Sequence, residues 1–203
     1  VRAGSITFNA YLKLLNKTAT RVFRGQGELK QSVKESSFNT WTKFYKQGPD
    51  AVNNIVSYYT KGALIALWLD LTIRDKSQGT YSLDNVMKEL WIHFGRPQIG
   101  TQEEDFINIA NILCGEDIRD DFLALLNNTA RVDLAPLLNK VGVNFTPVKF
   151  KKLNYLVEDY EISYTYSFHQ SDQKPREKEG YGMEFLGMAP IFKTQESIDQ
   201  IQS

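Results

Sequence analysis

The chain has 203 residues, 42% apolar, with 24 basic and 24 acidic side chains that sum to zero net charge. That size and apolar content support one large domain or one domain plus part of another. A neutral total leaves no electrostatic footprint for nucleic acid or an anionic membrane. The longest apolar run, Ala63 to Leu69, is far short of the about 20 residues needed to cross a bilayer.

The opening, Val1-Arg2-Ala3-Gly4, has no initiator Met and no charged-then-apolar leader, and reads as an excised piece of a longer protein. The first 143 residues then read as helices joined by short polar turns. Ile6, Tyr11, Leu12, Leu14, Leu15 and Val22 recur at helical spacing and predict a helix over about 5–22, ended by Gly25-Gln26-Gly27. Ser36-Ser37 offers an N-cap for a second helix, with Phe38, Trp41, Phe44 and Tyr45 on one face and Gly48-Pro49 as its stop.

Ser57-Tyr58-Tyr59-Thr60-Lys61-Gly62 runs directly into the apolar block, which predicts a helix over 58–74 buried on all sides. Asp70 and Arg74, four apart, share a face and are expected to pair. Ser82 is a predicted cap for a helix with Val86, Leu90 and Phe94 inward and Met87 and Trp91 broadening the stripe. Thr101 and Glu104 form a predicted capping box ahead of Phe106, Ile109, Ala110 and Leu113. Two further short helices are expected over 118–127 and 134–140. After Gly142 the period changes to two, in Val148-Lys149-Phe150 and in Tyr160 to Phe168, and predicts strands. Gln170 to Gly180 reads as a polar loop and Met183 to Phe192 as one more short extended segment.

Few residues can carry chemistry. The two histidines, His93 and His169, lie far apart and do not make a zinc motif, which needs three protein ligands. Cys114 follows Ile112 and Leu113 and reads as a buried small side chain rather than a nucleophile. Gly25-Gln26-Gly27 lacks the remainder of a phosphate loop. Asp120-Asp121 reads as charge complementing a helix start, and Lys149, Lys151 and Lys152 as a solvated strand edge. Tyr58 and Tyr59 remain. From the residues alone they are either core tyrosines with ordinary hydroxyl partners or phenols donating into an enclosed site, and on a helix they point about 100° apart.

Tyr59-Thr60-Lys61-Gly62 resembles the Tyr-x-Lys-Gly element of gluzincin-type zinc aminopeptidases. Ser57 to Leu64 with Leu69-Asp70-Leu71-x-Ile73-Arg74 is similar to the glycyl-aminopeptidase family of that clan. Arg2-Ala3-Gly4, the stretch from Gln31 to Tyr45 and the stretch from Ser82 to Trp91 resemble further family segments in order. The resemblance covers about residues 1–143; beyond it, Phe185-Leu186-Gly187-Met188 resembles only the opening of a PDZ domain.

The resemblance implies a mainly α fold: the helical C-terminal subdomain of a gluzincin-like catalytic domain (1–143) followed by a short β-rich tail (144–203) leading towards a PDZ domain. It implies a zinc aminopeptidase as the full-length parent, acting on peptides with a free amino end. Its zinc ligands and general base would lie upstream of Val1, so the fragment itself is expected to bind no metal and to be inactive. Tyr59 takes the place of the catalytic tyrosine of relatives, Tyr58 is placed on the substrate side, Lys61 either pairs structurally or lines the cleft on the substrate side, and Gly62 would allow a close backbone approach. A soluble protein of the cytoplasm or periplasm is expected. Two other readings stay open: a non-enzymatic helical interaction module with Trp41 to Tyr45 as its binding face, and a degenerate peptidase kept as a scaffold.

Overall fold

The computed structural model describes the backbone of residues 4–152 and 161–170 and the side chains of residues 4–146. Eight α-helices and two strands follow one another in the described residues: α1 (Phe8–Phe23), α2 (Val33–Phe38), α3 (Ala51–Asn54), α4 (Tyr58–Lys76), α5 (Leu83–Leu90), α6 (Glu103–Cys114), α7 (Arg119–Asn127), α8 (Ala135–Lys140), β1 (Val143–Lys152) and β2 (Glu161–Gln170). The fold is mainly α with a short β segment at its end, in agreement with the sequence. The predicted segment Met183 to Phe192, the predicted loop Gln170 to Gly180 and the PDZ-like stretch lie outside the described residues.

Helix α4 is the spine. One face of it, with Leu64, Ile65 and Leu71, joins α1, α8 and the start of β1 in one core, where Leu12, Ala19, Leu138 and Val143 are also buried. Its C-terminal half joins α5, α6 and the residue before α7 in a second, where Leu69, Ile73, Val86, Ile107, Ala110 and Ile118 are buried. Trp68 packs against both. Burying each large aliphatic side chain contributes about 1.5–3 kcal/mol. All six residues from Leu69 to Arg74 are buried, as expected of a helix enclosed by neighbours, whereas the first turn is open on the Tyr59 side.

Local chemistry sets the boundaries. Thr7 caps α1, its hydroxyl accepting from the Ala10 amide at 3.2 Å, so Ile6 falls outside the helix. Ser32, not Ser36, caps α2 by accepting from the Glu35 amide at 3.0 Å. Ser36 is drawn inside the helix because its hydroxyl donates to the Val56 carbonyl, a partner 20 residues away. Behind α2 the chain forms a single π-turn over Thr40–Phe44. The aromatic face expected there stands largely outward: Phe38 is 88% exposed and Trp41 77%. The capping box before α6 sits one residue later than predicted, with the Gln102 amide donating to Asp105 at 2.7 Å. Met87 and Trp91 likewise face outward while Val86 is buried.

The strands pair antiparallel, Val143 opposite Gln170 through Lys152 opposite Glu161. The ribbon starts inside the first core: Val143 is buried, and the Phe145 ring lies 6.3 Å from that of Phe23 on α1. The tail's first residues are thus packed on the helices.

Candidate functional site

The site is built where α4 begins. Ser57 has extended backbone, and its hydroxyl accepts from the Thr60 amide at 3.3 Å, satisfying one of the four donors a helix start leaves free. The preceding residue, Val56, is buried, and both its backbone groups are tied by buried side chains. Its amide donates to Gln31 Oε1 at 3.1 Å, and its carbonyl accepts from the Ser36 hydroxyl. The chain beside it approaches backbone to backbone. A Cβ on Gly27 would stand 1.9 Å from the Ile55 carbonyl oxygen, and one on Gly25 2.2 Å from that of Val52. Only glycine permits these contacts. The close approach foreseen at Gly62 therefore occurs at Gly25 and Gly27; among the described residues a Cβ on Gly62 meets nothing within 4 Å.

Tyr58 and Tyr59 occupy the first two helical positions. Their rings stack at 4.1 Å between centroids with a 32° tilt, so they face the same way rather than diverging. Phe44, presented by the π-turn, meets both rings edge-on, at 5.6 Å and 6.3 Å. Trp41 and Tyr45 continue the cluster at 5.2 Å. Such geometries suit the ring quadrupoles and hold the phenols in place. Tyr59 is 60% exposed, while Tyr58 is half-buried. The Tyr58 phenol is pushed above its ordinary value, first by its hydrogen bond with Tyr59 and then by burial, against opposing bonds with Thr40 and Tyr45. It stays a neutral donor at pH 7.

Lys61, expected on the substrate side, follows this pair in the first turn of α4 and its side chain is 0% exposed, turned into the protein. Its ammonium donates to the carbonyls of Glu28, at 3.3 Å, and Ala130, at 3.0 Å. Glu28 is itself buried. Its Oε1 accepts from Arg131 Nε and Nη2, both at 2.6 Å, and its Oε2 is buried with no hydrogen-bond partner. Arg131 also lies over the Phe23 ring at 4.9 Å. Burial holds the Glu28 carboxyl above its usual range despite the Arg131 guanidinium. Burial likewise lowers the Lys61 ammonium, which Glu28 partly restores. Nothing local in the sequence flagged Glu28 or Arg131; they are 103 residues apart, and each reads alone as a surface charge.

The other candidates fall elsewhere. Cys114 is buried and its thiol is pushed up to about 11, chiefly by burial, which makes it a poor nucleophile. Asp120 and Asp121 sit in the first turn of α7. His93 faces Glu89 at 3.2 Å on an exposed helix surface. Among the described residues no group of three or more His, Cys, Asp or Glu side chains could hold a metal ion, so these residues do not by themselves fit a zinc site. No helix among them is long and apolar enough to cross a membrane.

Residues 1–65, which include Tyr58, Tyr59 and Lys61, match the family model of the M61 glycyl aminopeptidases. A solved structure, an aminopeptidase N family protein from Idiomarina loihiensis, is similar over 70% of this chain at 50% identity, with a TM-score of 0.67. The chain spans 24% of the length of that protein. A comparison with curated proteins finds no match. The family match across the start of α4 and the half-identical helical neighbour together support the glycyl aminopeptidase family for this chain.

Proposed function

We propose that this chain is the C-terminal part of a zinc-dependent aminopeptidase, in which residues 1–143 close one side of the substrate cleft and Tyr59 stabilises the transition state. The observation that carries the reading is the position of Tyr59. It is an exposed phenol held in a ring stack, inside the segment that matches the family, at the start of a helix whose residues Leu69 to Arg74 are all buried. Attack on a peptide carbonyl builds negative charge on its oxygen, and a fixed neutral donor aimed at that oxygen lowers the barrier. Tyr59 would donate that hydrogen bond, and Tyr58, stacked on it, would hold the ring and flank the substrate. The bound metal would supply an activated water; its ligands and the general base belong, on this reading, to the rest of the protein. Substrates are peptides with a free amino end, and β1 ties the start of the segment after residue 143 to the helices.

Tyr59→Phe in the full-length protein is expected to lower kcat on such peptides by about 10²–10³. An unchanged kcat would overturn the assignment. The isolated 203-residue chain supplied with zinc is expected to cleave nothing, and turnover by it would overturn the division of labour. The exposed rings of Phe38, Trp41 and Tyr45 favour a second reading, a non-catalytic interaction module. It is distinguished by full-length protein that binds partners through this face and has no peptidase activity, as is the related reading of a degenerate scaffold.

A further inference from the structure

We propose that Lys61 is a positioning residue for the tyrosine pair: its buried ammonium, bridging the Glu28 and Ala130 carbonyls, fixes the first turn of α4 and with it the Tyr59 hydroxyl. This inference rests on the reading of Tyr59 as the stabilising donor. Three independent ties converge on the ten residues from Val52 to Lys61. Gln31 and Ser36 grip the amide and carbonyl of Val56. Gly25 and Gly27 press the backbone of Val52 and Ile55. Lys61 joins the helix from beneath to segments 33 and 69 residues away.

Stability alone does not explain the arrangement. The Lys61 ammonium and the Glu28 carboxylate are buried together, Arg131 reaches that carboxylate from a partly exposed position, and one carboxylate oxygen is unpaired. Buried ion groups of this kind commonly add less stability than an apolar replacement would, and one role they can serve is to specify a unique arrangement. What is specified here is the one turn of α4 that carries an exposed phenol. Tyr59 is two residues from Lys61, so a shift of that turn moves the hydroxyl directly. A misplacement of about 1 Å at a reacting centre is enough to lower a rate about 10²-fold.

The test is a double-mutant cycle in the full-length protein, with Lys61→Met and Tyr59→Phe singly and together. Lys61→Met is expected to lower kcat at least tenfold with KM little changed, and to have no further effect on kcat in the Tyr59→Phe background. Multiplying losses would show that Lys61 acts on overall structure, and an unchanged kcat would show that it positions nothing; either overturns the inference. Failure of Tyr59→Phe to lower kcat overturns the underlying reading instead. A readout free of activity separates the two: fluorine NMR of 3-fluorotyrosine at position 59 is expected to show a shifted, broadened resonance in Lys61→Met, and an unmoved resonance overturns the positioning role whatever the kinetics. Should Lys61→Met not fold, Ser36→Ala, which frees only the Val56 carbonyl, is expected to lower kcat about threefold, again without effect beyond Tyr59→Phe, and to shift the same resonance. Unchanged kcat and an unmoved resonance in Ser36→Ala overturn the inference.

Discussion

Helix α4 meets a charged cluster at each end, and the two are built differently. At the C-terminal end Asp70 and Arg74 are four residues apart on one helix, with Arg74 Nε donating to Asp70 Oδ2 at 3.0 Å. The other Asp70 oxygen accepts from the Leu83 amide at 2.8 Å, just after the Ser82 cap of α5. Both oxygens are engaged, and the pair joins α4 to the next element in sequence. At the N-terminal end Glu28, Lys61 and Arg131 come from three remote segments, and one Glu28 oxygen is unpartnered. The closed pair is a local staple. The open one holds distant pieces in register under electrostatic tension, and it lies under the tyrosines.

Removing Glu28 should therefore break the molecule hardest. Glu28→Ala leaves the buried Lys61 ammonium and the partly exposed Arg131 without their counter-charge, and it is expected to cost about 3 kcal/mol. The measurement is the urea midpoint at unchanged slope. A loss below about 1 kcal/mol would mean that water relieves the site, and the contrast between the two ends would vanish. Asp70→Asn should cost less, roughly 2 kcal/mol. The amide can still accept from the Leu83 amide, which keeps the tie between α4 and α5. If Asp70→Asn proves the more damaging, the local staple and not the remote cluster governs the spine.

The two ends also differ in how far they could be read from sequence. The Asp70–Arg74 pair is a spacing of four on an obvious helix, and it was predicted and is present. So were α7 and α8 to within a residue, because short apolar runs between polar breaks leave little freedom. The cluster beneath the tyrosines was not legible. Glu28 follows a Gly-Gln-Gly turn that looks solvated, and its partner is 103 residues on. The same cause displaced the α2 cap. Ser36 is a good cap in isolation, but a carbonyl 20 residues away claims its hydroxyl and Ser32 takes the role. Lys61 stood beside two tyrosines in a motif, and nothing in periodicity shows that a lysine there points inward. Tyr59 was legible through its motif, and its ring stack only through the structure.

The open cluster should betray itself in pH dependence. Burial holds the Glu28 carboxyl above its ordinary 4.5, so between that value and its folded one the native state keeps a proton that the unfolded chain has released. Stability contributed by this group is present below about 4.5 and declines as pH rises through the folded value. Lys61 runs the other way: its folded value lies below 10.5, so its contribution is present above 10.5 and lost as pH falls through the folded value. The stability advantage of the native protein over Glu28→Gln is thus expected to shrink as pH rises from 4.5, followed by denaturant melts at each pH. An advantage that grows instead would show that the Arg131 contact outweighs burial and that the carboxylate is not under tension.

The smallest effect belongs to the surface that the cluster supports. Tyr59→Phe removes one hydroxyl from a side chain that is 60% exposed and keeps the ring, so the stack with Tyr58 at 4.1 Å and the edge contact with Phe44 persist. Water can replace the lost partner at such a site, and the change in unfolding free energy is expected to stay within about 0.5 kcal/mol. The Tyr58 phenol should at the same time move back towards its ordinary value, because the bond with Tyr59 is the largest cause of its displacement. A spectrophotometric tyrosine titration of Tyr59→Phe against the unsubstituted chain measures that return. A folded, equally stable variant with a relaxed Tyr58 would show that the hydroxyl of Tyr59 is coupled to its neighbour and not needed for the fold. A large loss of stability would instead make Tyr59 a structural member of the aromatic cluster and remove the distinction between the surface and the ion cluster beneath it.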